Sequence, residues 1–440
     1  METKKNIGLG FYGYMLLIFQ AAAFFTQIVF TNYPMNILAD FYGGATLLPK
    51  IFTAGTLCAI VFQLIMSKNI GKIKSIKRLT TITGAIALIM GCVITFYPPA
   101  FGLAIPYLVC FFLESFFVVI YCTFACSILT GQWFPRRKGT IMGIATLVFP
   151  IGNGLLGTFA GQVFKNGAPD PKAGFLPFLI ICIVGWLIGV IFVKDFPEQV
   201  GAYRDNDRSF TPEMAKQMME EEIENRKTTV WGPKHTFANR DFWFASVTCG
   251  LLLMFSVGMM TQSSYVLASY DTINFGFVMM LVMVFGIIGS YVLGVIDTAI
   301  GTKKAMIIAV VIMVISGAIG AVPQANCLVV AMLLLAVFMG ASSNFTVSVA
   351  AQYWRREDFP SVFSCLNPVA NIFNAFAPTV VAMLIYSFFG YRLCFIVIAI
   401  AGVVGVILML LFSKKHVKKV DDKYREAAGK PLDEELATRK

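Results

Sequence analysis

Few residues in this 440-residue chain could do covalent chemistry. There are two histidines, His235 and His416, and both fall in hydrophilic segments. No H-E-x-x-H, phosphate loop or nucleophile elbow occurs, so neither an enzyme nor an ATP-driven pump is expected. The ten cysteines lie in or at the edge of apolar blocks, with no CxxC and no Cys/His cluster. They read as small buried hydrophobes, and no metal or cofactor is expected. What remains is charge held inside apolar surroundings. Glu114 and Lys50 each lie about 17 residues, or ~25 Å of helix, from the nearest basic loop. Charges at that depth are expensive and therefore functional candidates. Three readings are open: the two pair with one another, Glu114 takes up a proton, or Lys50 attracts a carboxylate or snorkels outward.

Those charges need a scaffold, and the composition says which. The chain is 58% hydrophobic and 13% charged, against about 25% charged in a soluble domain. The apolar residues come in blocks of about 20, the length that crosses a bilayer. Twelve spans are expected over 11–33, 44–67, 79–98, 103–130, 139–163, 175–193, 242–266, 274–299, 305–322, 326–353, 361–388 and 391–412. The apolar stretch after Lys4 and Lys5 runs on through Phe30, longer than a signal peptide needs, and reads as an uncleaved first span. The net charge of +11 sits in short loops, at Lys68, Lys72, Lys74, Lys77 and Arg78, at Arg136, Arg137 and Lys138, at Lys303 and Lys304, and at Arg355 and Arg356. That pattern signals topology rather than a nucleic-acid partner, and it puts both termini in the cytoplasm.

The chain divides into a first six-span bundle over 1–193, a hydrophilic linker over 194–241, a second bundle over 242–412 and a charged tail over 413–440. Thr211-Pro212-Glu213 reads as a helix start, so the linker is expected to hold a helix over about 212–227. Tail residues Lys414, Lys415, Lys418 and Lys419 would meet anionic headgroups. An internal repeat supports the division. Pro150-Ile151-Gly152-Asn153 is echoed by Pro368-Val369-Ala370-Asn371, and Gln132-Trp133-Phe134 by Gln352-Tyr353-Trp354. Two related halves around a midplane site are a common transporter plan.

A third echo carries a motif. Ile70-Gly71-Lys72-Ile73-Lys74 is repeated as Ile300-Gly301-Thr302-Lys303-Lys304, and the second copy is preceded by Gly294 and Asp297. This loop resembles the inter-helix signature of the major facilitator superfamily, and the resemblance covers nearly the whole chain. It implies an all-α fold of twelve transmembrane helices in two pseudo-symmetric six-helix bundles. Asp297, Gly301, Lys303, Arg136 and Arg137 are then the gating candidates, with Asp297 near a helix end where basic groups can pair with it.

Three further stretches are Tyr12-Gly13-Tyr14, Trp133-Phe134-Pro135-Arg136-Arg137-Lys138-Gly139 and Phe196-Pro197-Glu198-Gln199-Val200-Gly201. Within the superfamily they look most like the oxalate/formate antiporter type. That type implies a small or amphipathic carboxylate, up to the size of a bile acid, coupled to protons or to a counter-solute. The oxalate carriers use cationic side chains in helices eight and eleven. Here 274–299 and 361–388 hold no Lys or Arg, so oxalate itself is not the expected substrate.

The superfamily places helices 1, 4, 7 and 10 around the cavity, and their polar residues share faces. The candidates are Gln20, Gln27 and Thr31; Phe117 and Tyr121 with Glu114; Ser256, Met260 and Ser263; Ser343 and Thr346; and Asn367, Asn371 and Asn374 of helix eleven. Buried amides and hydroxyls also serve to glue helices together. A zwitterion such as betaine or carnitine would need an aromatic cage, which a chain with 41 Phe could build. A non-transporting sensor on the same fold is the other alternative. The expected partners are a small organic acid, lipid and protons, and a monomer in a bacterial plasma membrane is the expected setting.

Overall fold

The structure is a computed structural model that describes residues 8–39, 46–67, 73, 75–96, 104–134, 137–159, 164–165, 168–207, 209, 211–227, 229–355, 357–430 and 432. Lys68, Gly71, Lys72, Lys74, Arg136 and Arg356 lie outside the described residues. Eleven helices among those described are long and apolar enough to cross a membrane. They are α1 (Gly10–Ile37), α2 (Leu47–Met66), α3 (Ile76–Phe96), α4 (Ile105–Trp133), α6 (Gly174–Phe192), α7 (Arg240–Thr261), α8 (Phe275–Ile300), α9 (Thr302–Gly320), α10 (Ala325–Tyr353), α11 (Phe359–Ile385) and α12 (Tyr391–Leu411).

The fifth span is the exception. It forms two helices, α5a (Lys138–Ala145) and α5b (Val148–Phe159), and is not continuous over 139–163. The break falls at Thr146 and Leu147, where Pro150 has no N–H to give the Thr146 carbonyl four residues back and the Thr146 hydroxyl turns back onto Gly143 O at 3.1 Å. Beyond the spans lie a helix at Pro212–Lys227 in the linker, a tail helix at Lys414–Ala427 and a two-residue antiparallel strand pair at Phe164–Lys165 and Ala168–Pro169.

Local signals set the helix ends. Asn239 accepts from Asp241 N at 2.8 Å to start α7, and Asn274 accepts from Phe277 N at 2.9 Å to start α8. Gly301 takes φ +92°, a conformation open to glycine, and so permits the sharp turn between α8 and α9.

Two spans carry π-helical turns, at Ile28–Asn32 in α1 and Ile120–Ala125 in α4. Such turns are rare and gather at functional sites. The turn in α4 meets α1 in the stretch ahead of its own π turn. Gln20 Nε2 donates to the Cys122 carbonyl at 3.2 Å, and the Cys122 thiol donates to Gln27 Oε1 at 3.3 Å.

The first six spans meet the last six along two seams. In one, α2 lies on α11, with Thr53 Oγ1 2.7 Å from Ala375 O and 2.9 Å from Thr379 Oγ1. In the other, α5b lies on α8, where a methyl group at Gly286 would stand 2.4 Å from Pro150 Cβ.

Each hydrophilic flank rides on one half. Asp195 accepts from Ser75 Oγ at 2.6 Å, and Arg137 pairs with Asp205, which ties the start of the linker to the first half. Trp231 donates to Asp421 at 2.7 Å and Arg425 binds Asp358 at 2.6 Å, which ties the end of the linker and the tail helix to the second half.

Candidate functional site

A small cavity lies between the two halves. Gln27 and Phe24 of α1, Thr123 and Ser127 of α4, and Met142 and Phe149 of the fifth span line one wall. Leu253 and Val257 of α7, Ser343, Thr346 and Val347 of α10, and Phe363, Asn367, Asn371 and Asn374 of α11 line the other. The volume is ≈ 30 Å³, about the room one water occupies. Toward the linker it is closed where Gly131 lies against Phe359, since a methyl group at Gly131 would stand 2.7 Å from that ring. On the opposite side Asn36 of α1 is bonded to Met260 O at 3.0 Å and to Ser263 Oγ at 3.2 Å. Among the described residues, the two halves touch on both sides of the cavity.

Among the described lining residues none is charged. The polar groups are amides and hydroxyls, and the rest is aromatic and aliphatic. Such a wall binds by hydrogen bonding and apolar contact, and it gives an ion no countercharge.

The structure brings six of the sequence candidates to this cavity: Gln27, Ser343, Thr346, Asn367, Asn371 and Asn374. The others lie elsewhere. Gln20 is held by Cys122 and by Thr130, which donates to its Oε1 at 2.9 Å. Thr31 turns back onto its own helix at Gln27 O, 2.5 Å away. Phe117 packs on Phe116 with ring centroids 4.9 Å apart, and Tyr121 is buried against Phe19, 5.8 Å between centroids. Ser256 pairs with Ser342 at 3.2 Å. Met260 and Ser263 belong to the closure around Asn36.

Two readings are corrected. Glu114 does not pair with Lys50. Its side chain is fully buried and neither carboxylate oxygen has a hydrogen-bond partner, while Lys50 is exposed on α2. Glu114 points into the first half, within electrostatic reach of Cys92, Cys122 and Cys182, and away from the cavity. Asp297 likewise takes a hydroxyl and not a cation as its partner, with Thr302 Oγ1 at 2.5 Å. Lys303 instead reaches Phe412 O at 2.6 Å, and Gly301 makes the turn beside Gln352. Of the basic pair, Arg137 binds Asp205 of the linker.

Sequence reasoning missed Thr123 and Ser127. A regular 3.6-residue period sets Thr123 opposite Glu114, and it is that opposite face, not the one through Glu114, that meets the cavity.

The family model for the major facilitator superfamily matches residues 15–296 and 267–440. The chain belongs to that superfamily; it is a multi-pass membrane transporter of small molecules and not an enzyme. Among solved structures it is similar to the proton:xylose symporter XylE bound to 6-bromo-6-deoxy-D-glucose, at TM-score 0.70 and 12% identity, covering 93% of this chain and 99% of that one. It is also similar to FucP in the outward conformation, at TM-score 0.61 and 14% identity, covering 90% and 98%. At those identities the likeness concerns the fold. No curated protein sequence matches.

Proposed function

We propose that the protein is a secondary active transporter that carries a small organic acid together with one proton, as a net-neutral unit, by alternating access. The observation that carries this reading is the uncharged cavity, lined by amides and hydroxyls together with the rings of Phe24, Phe149 and Phe363. A lone carboxylate moved into such a place pays several kcal/mol of desolvation with nothing to offset it. An acid that arrives with its proton avoids that cost. A dianion such as oxalate fits worst, in keeping with the lack of Lys and Arg in α8 and α11. The resemblance to the oxalate/formate antiporter type supports the carboxylate class. The basic loops support a plasma-membrane protein with both termini cytoplasmic.

Glu114 has no solute to contact. Ionised, it would cost several kcal/mol with no partner, so as a neutral acid it suits the closed state.

A second reading is a neutral sugar-like solute. The hydroxyl and amide lining favours it, and XylE, named as a proton:xylose symporter, shares the fold. Uptake into proteoliposomes separates the two, using labelled monocarboxylic acids and labelled xylose under an imposed pH gradient. Acid uptake driven by an acidic outside is expected. Xylose flux without acid flux would replace the first reading with the second, and no flux of either class would sink both.

A further inference from the structure

The hydrogen-bond directions in the cavity wall define the polar end of the solute, given the transport reading above. Four amides form a one-way ladder, three on α11 and one, Gln63, on α2. Asn367 Nδ2 donates to Gln63 Oε1 at 3.4 Å, Asn371 Nδ2 donates to Asn367 Oδ1 at 3.0 Å, and Asn374 Nδ2 donates to Asn371 Oδ1 at 3.3 Å. Side-chain amides can be turned over without changing their shape, so the direction needs an anchor. The anchor is the main chain. Asn371 Nδ2 also donates to the Asn367 carbonyl at 2.9 Å, and the reversed amide would set oxygen against oxygen there. With Asn371 fixed, its Oδ1 must accept, Asn374 must donate, and the ladder ends on Asn374 Oδ1. That oxygen is buried and has no partner, on a residue 4% exposed that lines the cavity.

The neighbouring hydroxyls point the same way. Thr123 gives its hydrogen to Val119 O at 2.7 Å, Ser127 to Cys122 O at 3.3 Å and Thr346 to Ser343 O at 3.2 Å. Each then has lone pairs left over and no hydrogen to offer. Donors face them as well: the Ser343 hydroxyl, the second amide hydrogen of Asn374 and the amide of Gln27. Gln27 Oε1 is taken by the Cys122 thiol, so its amide hydrogens are what it has to give.

We infer that the cavity selects an uncharged solute whose polar end brings a hydroxyl hydrogen to Asn374 Oδ1 and an acceptor oxygen to Gln27. A protonated carboxyl group and an alcohol both have that chemistry. A carboxylate brings only acceptors, so it leaves the Asn374 oxygen unfilled, and its charge meets no countercharge in the lining. An unfilled Asn374 oxygen in a dry site costs enough to weaken binding by roughly ten- to a hundredfold.

The test is binding to the full-length protein in nanodiscs, measured by calorimetry. The probes are the straight-chain monocarboxylic acids from acetic to octanoic, with their methyl esters, primary alcohols and primary amines. Acid and alcohol are expected to bind at least about tenfold tighter than the ester, which has no hydrogen to donate. The Kd for total acid should rise about tenfold per pH unit above the acid's own pKa. In Asn374→Leu the acid-to-ester ratio should fall toward one. An ester that binds as well as its acid, an acid Kd that does not move with pH, or an amine that binds tightest would each overturn the inference. Parallel flux measurements separate the two levels. Transport of esters or bare anions would remove this inference and leave the transporter standing, whereas neither binding nor flux across the panel would remove both.

Discussion

Asn36, in the last turn of α1, donates to the main-chain oxygen of Met260 in α7 at 3.0 Å, and its Oδ1 accepts from Ser263 Oγ at 3.2 Å and Ser264 N at 3.3 Å. One side chain thus closes the side of the molecule away from the linker. Asn36→Ala should cost the closed state about 1–3 kcal/mol, enough to shift a near-balanced equilibrium by about a factor of ten. Distances between spin labels on the outer ends of α1 and α7 should lengthen in the variant. An unchanged distribution would mean that the seams at α2–α11 and α5b–α8 hold this side without it.

Asp421 gathers three donors, Trp231 Nε1 at 2.7 Å and the Nε atoms of Arg355 and Arg425 at 3.2 Å each. Both guanidiniums are buried. Asp421→Ala removes a carboxylate shared by two buried guanidiniums, of which Arg425 keeps Asp358 and Glu357, and should cost the docked tail helix about 1–3 kcal/mol. Hydrogen exchange over 414–427 should accelerate steeply, and exchange within the spans should not.

The stability of the fold should also depend on pH through Asp358. Burial pushes this carboxyl up from 3.8 to about 6, against the opposing pull of the Thr229 hydroxyl and the Arg425 guanidinium. A group that binds its proton more tightly in the folded than in the unfolded chain stabilises the fold at low pH. Its contribution, at most about 3 kcal/mol, is full below 3.8 and is lost as pH rises through about 6. Thermal stability should therefore fall across that window in the wild type by more than it does in Asp358→Asn.

Helix contacts give a paired prediction within one span. A methyl group at Gly289 of α8 would stand 2.3 Å from Val337 O and 2.4 Å from Val337 Cα, backbone that cannot yield, whereas one at Gly294 meets nothing within 4 Å. Gly289→Ala should lower thermal stability by about 1–3 kcal/mol, and Gly294→Ala should be neutral or slightly stabilising.

The spans were legible because the bilayer asks for long apolar runs whatever their neighbours, and the asparagine face of α11 because three amides at helical spacing must turn one way. The direction of the amide ladder was not legible, since it depends on which carbonyl lies beside Asn371. The π turns in α1 and α4 leave no mark in composition. Helical periodicity puts Glu114 on a face but does not say whether that face meets the cavity or the interior of its own half. The partner of Asp297 was missed for a similar reason, because Thr302 hydrogen-bonds to it across the tight turn at Gly301.

The net-neutral transport of acid and proton is tested most directly by electrogenicity. Uptake of a labelled monocarboxylic acid into proteoliposomes would be followed under a pH gradient with no membrane potential, then under a potassium-diffusion potential with no pH gradient. Concentrative uptake in the first condition and none in the second is the predicted result, with one proton entering per acid. Uptake driven by the potential alone would show a charged species crossing the uncharged cavity, and would contradict the account.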